Sequence, residues 1–203
     1  MQEQRRHQRI RFGVLPRIRI GYGGEIGEGL IENLSLSGLM VRTAMPLEIA
    51  HNIGCEFRVF GSPLIDVQAS VVSRVGNMFG VHFQTGPINQ VLIDDAISSA
   101  LASGKASILV VHERAGRKVM RITGGLNSTL RNDFMHALTR VGADEIDLEG
   151  VTLVDQGGLA LCLVAVSRHS VRLGNQSSCF AEAWKQALAV PGALETLEMP
   201  NGG

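Results

Sequence analysis

Residues 17–33 read RIRIGYGGEIGEGLIEN, and this stretch decides what the first half of the chain can be. Two short β-prone runs, RIRIGY and GEGLIEN, flank Gly21, Gly23 and Gly24, which is a hairpin signal. Working outward, GLMVRT, GCEFRVF, IDVQASVVSRV and FGVHFQ follow, the last after the turn-like pair Gly76-Asn77. In CEFRVF, Cys55, Phe57 and Val59 alternate with Glu56, Arg58 and Phe60, the period of a strand with one buried face. About six strands at spacings near ten residues predict an all-β, six-stranded antiparallel barrel. The segment GPINQVLIDDAISSALASGK then changes character. Ile88, Leu92, Ala96, Ile97, Ala100 and Leu101 recur at helical spacing, predicting a linker helix over about 88–103 with Gly104 as its stop. The first domain is expected over residues 1–104.

The second half, residues 105–203, has a different grammar. ASILVVHE and RKVMRITGGL read as paired strands around RAGR, and NSTLRNDFMHALTRVG places Leu130, Phe134, Leu138 and Val141 on one helical face. DEIDLEGVTLVDQGG supplies a strand, LALCLVAV a helix, SVRLGN a strand, SCFAEAWKQALA a helix and LETLEM a closing strand. Strands alternating with helices predict an α/β domain built on a mixed sheet.

Composition sets outer bounds. The chain has 203 residues, 45% hydrophobic and 19% charged, so a folded globular protein of one large or two small domains is expected. No apolar run reaches the roughly 18 residues of a membrane span, and the Arg-rich start lacks the apolar core of a signal peptide, so a cytoplasmic location is expected. Cys55, Cys162 and Cys179 are odd in number and lack CxxC spacing, which predicts small buried apolar residues and neither a disulfide framework nor a zinc site.

Lys+Arg and Asp+Glu balance at 19 each, yet Arg5, Arg6, Arg9, Arg11, Arg17 and Arg19 crowd the first twenty residues against the single acid Glu3. Six arginines and no lysine favour planar, bidentate recognition of phosphate or a purine edge. The tract IENLSLSGLMVRT carries the complementary chemistry. Asn33, Ser35 and Gly38 are spaced N-x-S-x-x-G between two apolar runs, at a strand end and turn. Asn offers an amide for a guanine edge, Ser a small hydroxyl, and Gly a positive φ or a close backbone approach. A turn held by local side-chain to backbone bonds explains the same residues.

Taken together, Arg5-Arg6-x-x-Arg9, then Asn33-x-Ser35-x-x-Gly38, then strands ending in FGVHF, this half of the chain resembles the PilZ domain of bacterial cyclic di-GMP receptors, over roughly residues 1–100. The resemblance implies that arm and motif close on opposite sides of the dinucleotide. Arg5 and Arg9, with Arg6 assisting, would contact phosphates and guanine O6/N7, Asn33 and Ser35 would read a guanine edge, and ligand would order the arm. RITGGLN, IDLEGVTLVDQGGLALCLVAV and the closing strand resemble a STAS domain, the fold of anti-sigma factor antagonists, over about 106–199. In the phosphorylation-controlled antagonists an Asp-Ser-Ser-Gly turn opens the helix. Here Asp155-Gln156-Gly157-Gly158 stands there, and Gln156 cannot accept phosphate; Asp155 is read as a helix cap.

An enzyme is not expected. The six histidines lack metal-ligand spacing, Asp94-Asp95 reads as a solvated face, and Asp144, Glu145, Asp147 and Glu149 read as an exposed strand face. GYGGEIGEG lacks the Lys-Ser/Thr of a phosphate loop, and no GxSxG elbow occurs. The expectation is a receptor with no cofactor, whose ligand is cyclic di-GMP and whose STAS-like half binds an unidentified protein; a homodimer is left open. Two alternatives stand beside it. One is a scaffold without a small ligand. The other is nucleic-acid binding through the Arg-rich arm, which the scarcity of aromatics disfavours.

Overall fold

The computed structural model describes residues 8–189, which divide into two compact units after Ile108. The closing LETLEM strand expected from the sequence lies outside the described residues.

The first unit is built on strands β1 (Ile10–Phe12), β2 (Arg17–Tyr22), β3 (Glu25–Ser35), β4 (Gly38–Thr43), β5 (Asn52–Phe57), β6 (Ile65–Val75) and β7 (Met78–Gln84), followed by helix α1 (Pro87–Ala102). Strands β2–β7 are neighbours in the order β3-β2-β5-β6-β7-β4, and a β3–β4 pairing closes this antiparallel ring into a six-stranded barrel. Closure removes the open edges that a flat sheet of these strands would expose. The β2–β3 hairpin turns at Gly23 (φ 60) and Gly24 (φ 84), between the register pair Tyr22 and Glu25. Two consecutive positive φ angles match the right-handed twist of the flanking strands, and glycine reaches them without strain.

The barrel core is the inward half of each alternating strand. Ile18 and Ile20 from β2, Leu39 and Val41 from β4, Cys55 and Phe57 from β5, and Val67 and Ala69 from β6 are all buried in it. A fully buried Ile, Leu or Phe contributes roughly 1.5–3 kcal/mol relative to exposure. The expected alternation of CEFRVF holds through exposed Arg58 and buried Val59, although β5 itself ends at Phe57. Phe60 takes a positive φ of 50 that turns the chain, and its ring packs edge-on against Phe12 at 5.8 Å instead of facing solvent.

Helix α1 starts with Pro87 at its first position and ends where Gly104 takes φ 68. Its buried stripe is Ile93, Ala96 and Ala100, and Leu92, Ile97 and Leu101 pack partly buried against the core, so the expected face holds except at Ile88, which is 77% exposed. Asn89 Nδ2 donates to the Asp66 carbonyl at 2.9 Å, which fixes the first turn with residues 89, 93, 96 and 100 toward the barrel and turns Ile88 away from it.

Strand β1 sits beside β3 (Ile10 opposite Leu34, Arg11 opposite Asn33) and also pairs with the start of β8 (Ala106–Arg114), Arg11 opposite Ser107 and Phe12 opposite Ala106. That pairing draws residues 105–108 into the first unit, beyond the expected stop at Gly104.

The second unit comprises the rest of β8, β9 (Arg117–Leu126), a helical turn at 128–130 leading into α2 (Arg131–His136), a wider π turn at 137–141, β10 (Glu145–Val154), α3 (Gln156–His169), β11 (Arg172–Gln176) and α4 (Ser178–Ala189). The β8–β9 connection is the pair Ala115 (φ 51) and Gly116 (φ 74), and β10 runs parallel to both β9 and β11. Met120, Ile122, Ile146 and Leu148 from the strands meet Phe134, Leu138, Leu161, Cys162 and Phe180 from the helices in one core. Glu149 is exposed, but Asp147 is only 3% exposed, correcting the reading of its strand as solvent-facing. Arg121, opposite it on β9, donates through Nε at 2.9 Å and NH2 at 2.8 Å to Oδ2, and the Glu149 amide donates to Oδ1. A buried carboxylate persists only when paired in this way.

No described helix is long and apolar enough to cross a membrane. Burial, assisted by Asp66, pushes the Cys55 thiol up to about 12, and burial alone pushes Cys162 up to about 12. Because both folded values lie above the ordinary 9.0, the thiols' contribution to stability is intact below pH 9 and is lost as pH rises toward 12. The neutral thiol is also the unreactive form. Alkylation of the native protein at pH 8 should therefore mark the half-buried Cys179 first, with Cys55 and Cys162 reacting only after denaturant; equal labelling of all three in the native state would contradict this burial.

Candidate functional site

The N-x-S-x-x-G motif occupies the end of β3, the turn, and the start of β4. What aims it is a bulge. Ile31 is opposite Val41 and Asn33 is opposite Met40, so Glu32 is an extra residue on β3. Strict alternation from the inward Ile31 would point Asn33 into the core. The inserted residue shifts the phase, so Leu34 becomes the next fully buried residue and Asn33 turns outward. Glu32 is then held by an ion pair with Arg42 of β4.

The register sets three pairs at this turn: Asn33 beside Met40, Ser35 beside Gly38, and, across β1, Arg11 beside Asn33. The Asn33 Oδ1 atom is shut off from solvent and accepts no hydrogen bond among the described residues. An orphaned acceptor of this kind costs about 1–3 kcal/mol. Ser35 is buried, and its hydroxyl donates to the Gly38 carbonyl at 3.1 Å and lies 3.4 Å from Ser37 Oγ. Its proton is thus committed to the turn, leaving only its lone pairs for anything else. Gly38 is needed for close approach and not for a positive φ, because an added Cβ would sit 2.0 Å from the Val81 carbonyl oxygen.

Of the arginines singled out in the arm, Arg5 and Arg6 lie outside the described residues. Arg9 is exposed and immediately precedes β1. Since β1 runs antiparallel to β3, the chain before Ile10 continues toward the Ser35 end of the motif. Arg11 was legible as part of the basic run, but its place beside Asn33 depends on a three-residue strand that leaves little pattern in the sequence. A cavity of about 390 Å³ elsewhere on the barrel is lined by Arg17, Glu28, Leu30, Arg42, Thr43 and Asn77, and contains none of the motif residues. No group of His, Cys, Asp and Glu able to hold a metal occurs among the described residues.

In the second unit Asp155 caps α3, its Oδ1 accepting from the Gly158 amide at 2.8 Å. Gln156 is the first residue of that helix. Gly158 approaches the Leu126 carbonyl so closely that a Cβ would lie 2.1 Å from its oxygen, and a Cβ at Gly157 would lie 2.9 Å from that of Ser128.

Residues 3–98 match the family model of the PilZ domain, a span that lies within the first unit. Among solved structures, the chain is similar to the PilZ domain with c-di-GMP of YcgR from Escherichia coli (17% identity, covering 48% of this chain and 91% of that one, TM-score 0.43). It is also similar to the PlzA protein of Borreliella burgdorferi in complex with c-di-GMP (22%, 47% and 41%, TM-score 0.37) and to the K. pneumonia MrkH–c-di-GMP complex (16%, 51% and 54%, TM-score 0.45). No curated protein matches the chain.

Gly38→Ala should destabilise the barrel by about 3 kcal/mol, because the methyl meets backbone that cannot move aside. Gly21→Ala, where nothing lies within 4 Å of the added methyl, is the control that should change little in the same denaturant titration. Asp155→Ala should cost about 1 kcal/mol through the lost cap.

Proposed function

We propose that this chain is a cyclic di-GMP receptor and not an enzyme, in which the dinucleotide is clamped between the Arg5, Arg6 and Arg9 arm and the Asn33, Ser35 and Gly38 turn. The observation that carries this reading is the unpartnered Asn33 Oδ1, on the outer side of a bulge in the strand that β1 runs beside. Guanine supplies the missing donors from its N1–H and N2–H edge, and the phosphates of the dinucleotide supply charge for the arginines. Because Oδ1 is covered in this structure, the side chains over it must shift as ligand enters. The PilZ match over residues 3–98 supports the ligand class.

The second unit is proposed to be a STAS-like docking domain for a protein partner. Its helix-opening turn offers Gln156 in place of a hydroxyl, so control comes from the barrel and not from phosphorylation there. The route is β1. The strand after the arm pairs with Ala106 and Ser107, and the Gly13 amide donates to the Lys105 carbonyl at 3.1 Å, at the root of the strand that continues into the second unit. Ordering the arm would load that strand. Coupling of this kind is reciprocal, so partner must tighten or loosen ligand by the factor that ligand changes partner.

Calorimetric titration of cyclic di-GMP is the test, with GTP as control. Arg9→Ala and Asn33→Ala should each weaken binding about 10- to 100-fold, since a good bidentate contact is worth about 1–3 kcal/mol and 1.4 kcal/mol is tenfold. Asn33→Ala should leave the free protein at least as stable as wild type, because it removes an orphaned acceptor. No binding at tens of micromolar ligand would favour the scaffold reading.

A further inference from the structure

We infer that Arg11, outside the paired motif, is a guanine-reading residue of the same site. This rests on the ligand reading above and extends it to a side chain fixed on a strand. Arg11 is exposed, while its neighbours Ile10 (0%) and Phe12 (3%) are sunk in the barrel core, so its Cα is anchored and its guanidinium projects from the outer face. Its register partner on β3 is Asn33. Side chains of such a pair stand on one face with Cβ atoms about 4.5–5.5 Å apart.

The neighbours of Asn33 decide what Arg11 does. On one side stands Met40 and beyond it Gly80, which has no side chain; on the other side stands Arg11. A guanine whose N1–H and N2–H edge satisfies Asn33 Oδ1 carries two acceptors, O6 and N7, on its adjoining edge. Met40 offers no donor to those atoms. Arg11 offers a fork whose spacing suits them. The row thus sets the Asn33 amide between an arginine on one side and a methionine on the other. A lysine at position 11 would keep the charge and lose the fork.

The experiment is titration of cyclic di-GMP into wild type, Arg11→Lys and Arg11→Gln, with thermal melts of each in the free state. Both variants should bind at least tenfold more weakly, and the melts separate any change in stability from the loss of binding. Arg11→Lys binding within twofold of wild type would overturn the guanine-reading role in favour of simple charge. If wild type binds and both variants match it, this inference fails while the receptor reading stands. If wild type does not bind, the receptor reading itself fails and this one with it.

Discussion

The single extra residue on β3 is the constraint on which the first unit depends. That strand is used three times: its first half pairs with β2, its second half with β4, and its last residues with β1. A strand shared among three partners cannot slip in register without breaking all three ladders. Were β3 to run through Glu32 without the bulge, strict alternation would send Asn33 inward and Leu34 outward, placing an amide in the barrel core and a leucine in water. The bulge therefore stabilises the barrel and aims the motif by one event.

Strand β1 is the second consequence. Three residues are too few to hold an edge by backbone bonds alone, and the two core anchors, Ile10 and Phe12, supply what the ladder does not. With both of its edges paired, to β3 and to β8, the strand ties the segment after the arginine arm to the motif on one side and to the origin of the second unit on the other.

Legibility in the sequence tracked the length of each pattern. The β2–β3 hairpin, the strands of GLMVRT and IDVQASVVSRV, and the helix at 87–102 were readable because each spans several periods or carries a glycine or proline signal at its end. The N-x-S-x-x-G turn was readable as a turn. The bulge was not, since a one-residue insertion changes no composition and appears only when the partner strand is placed. Strand β1 was absorbed into the basic run because Ile10-Arg11-Phe12 shows one alternation and no more. Asp147 misled for a different reason: alternating acids usually mark a solvated face, and only the cross-strand Arg121 reverses that reading. Ile88 fitted the helical period yet faces water, because the contact of Asn89 with Asp66, remote in sequence, sets the rotation of α1.

The turn at the start of α3 shows how far a local pattern can be trusted in the second unit. Glycines at 157 and 158 are not simply permissive there. At 158 the backbone lies against the Leu126 carbonyl, and at 157 against Ser128, so a side chain at either position would have to displace β9 or the helical turn that follows it. Asp155 then closes the first turn of the helix from the one position where a carboxylate can reach the Gly158 amide. A turn packed this tightly on its own sheet leaves little play for a covalent switch, and Gln156 has no hydroxyl to carry one. If the second unit is regulated, the physical handle has to enter elsewhere, and the element that continues into it from the first unit is β8, whose first residues are already paired with β1.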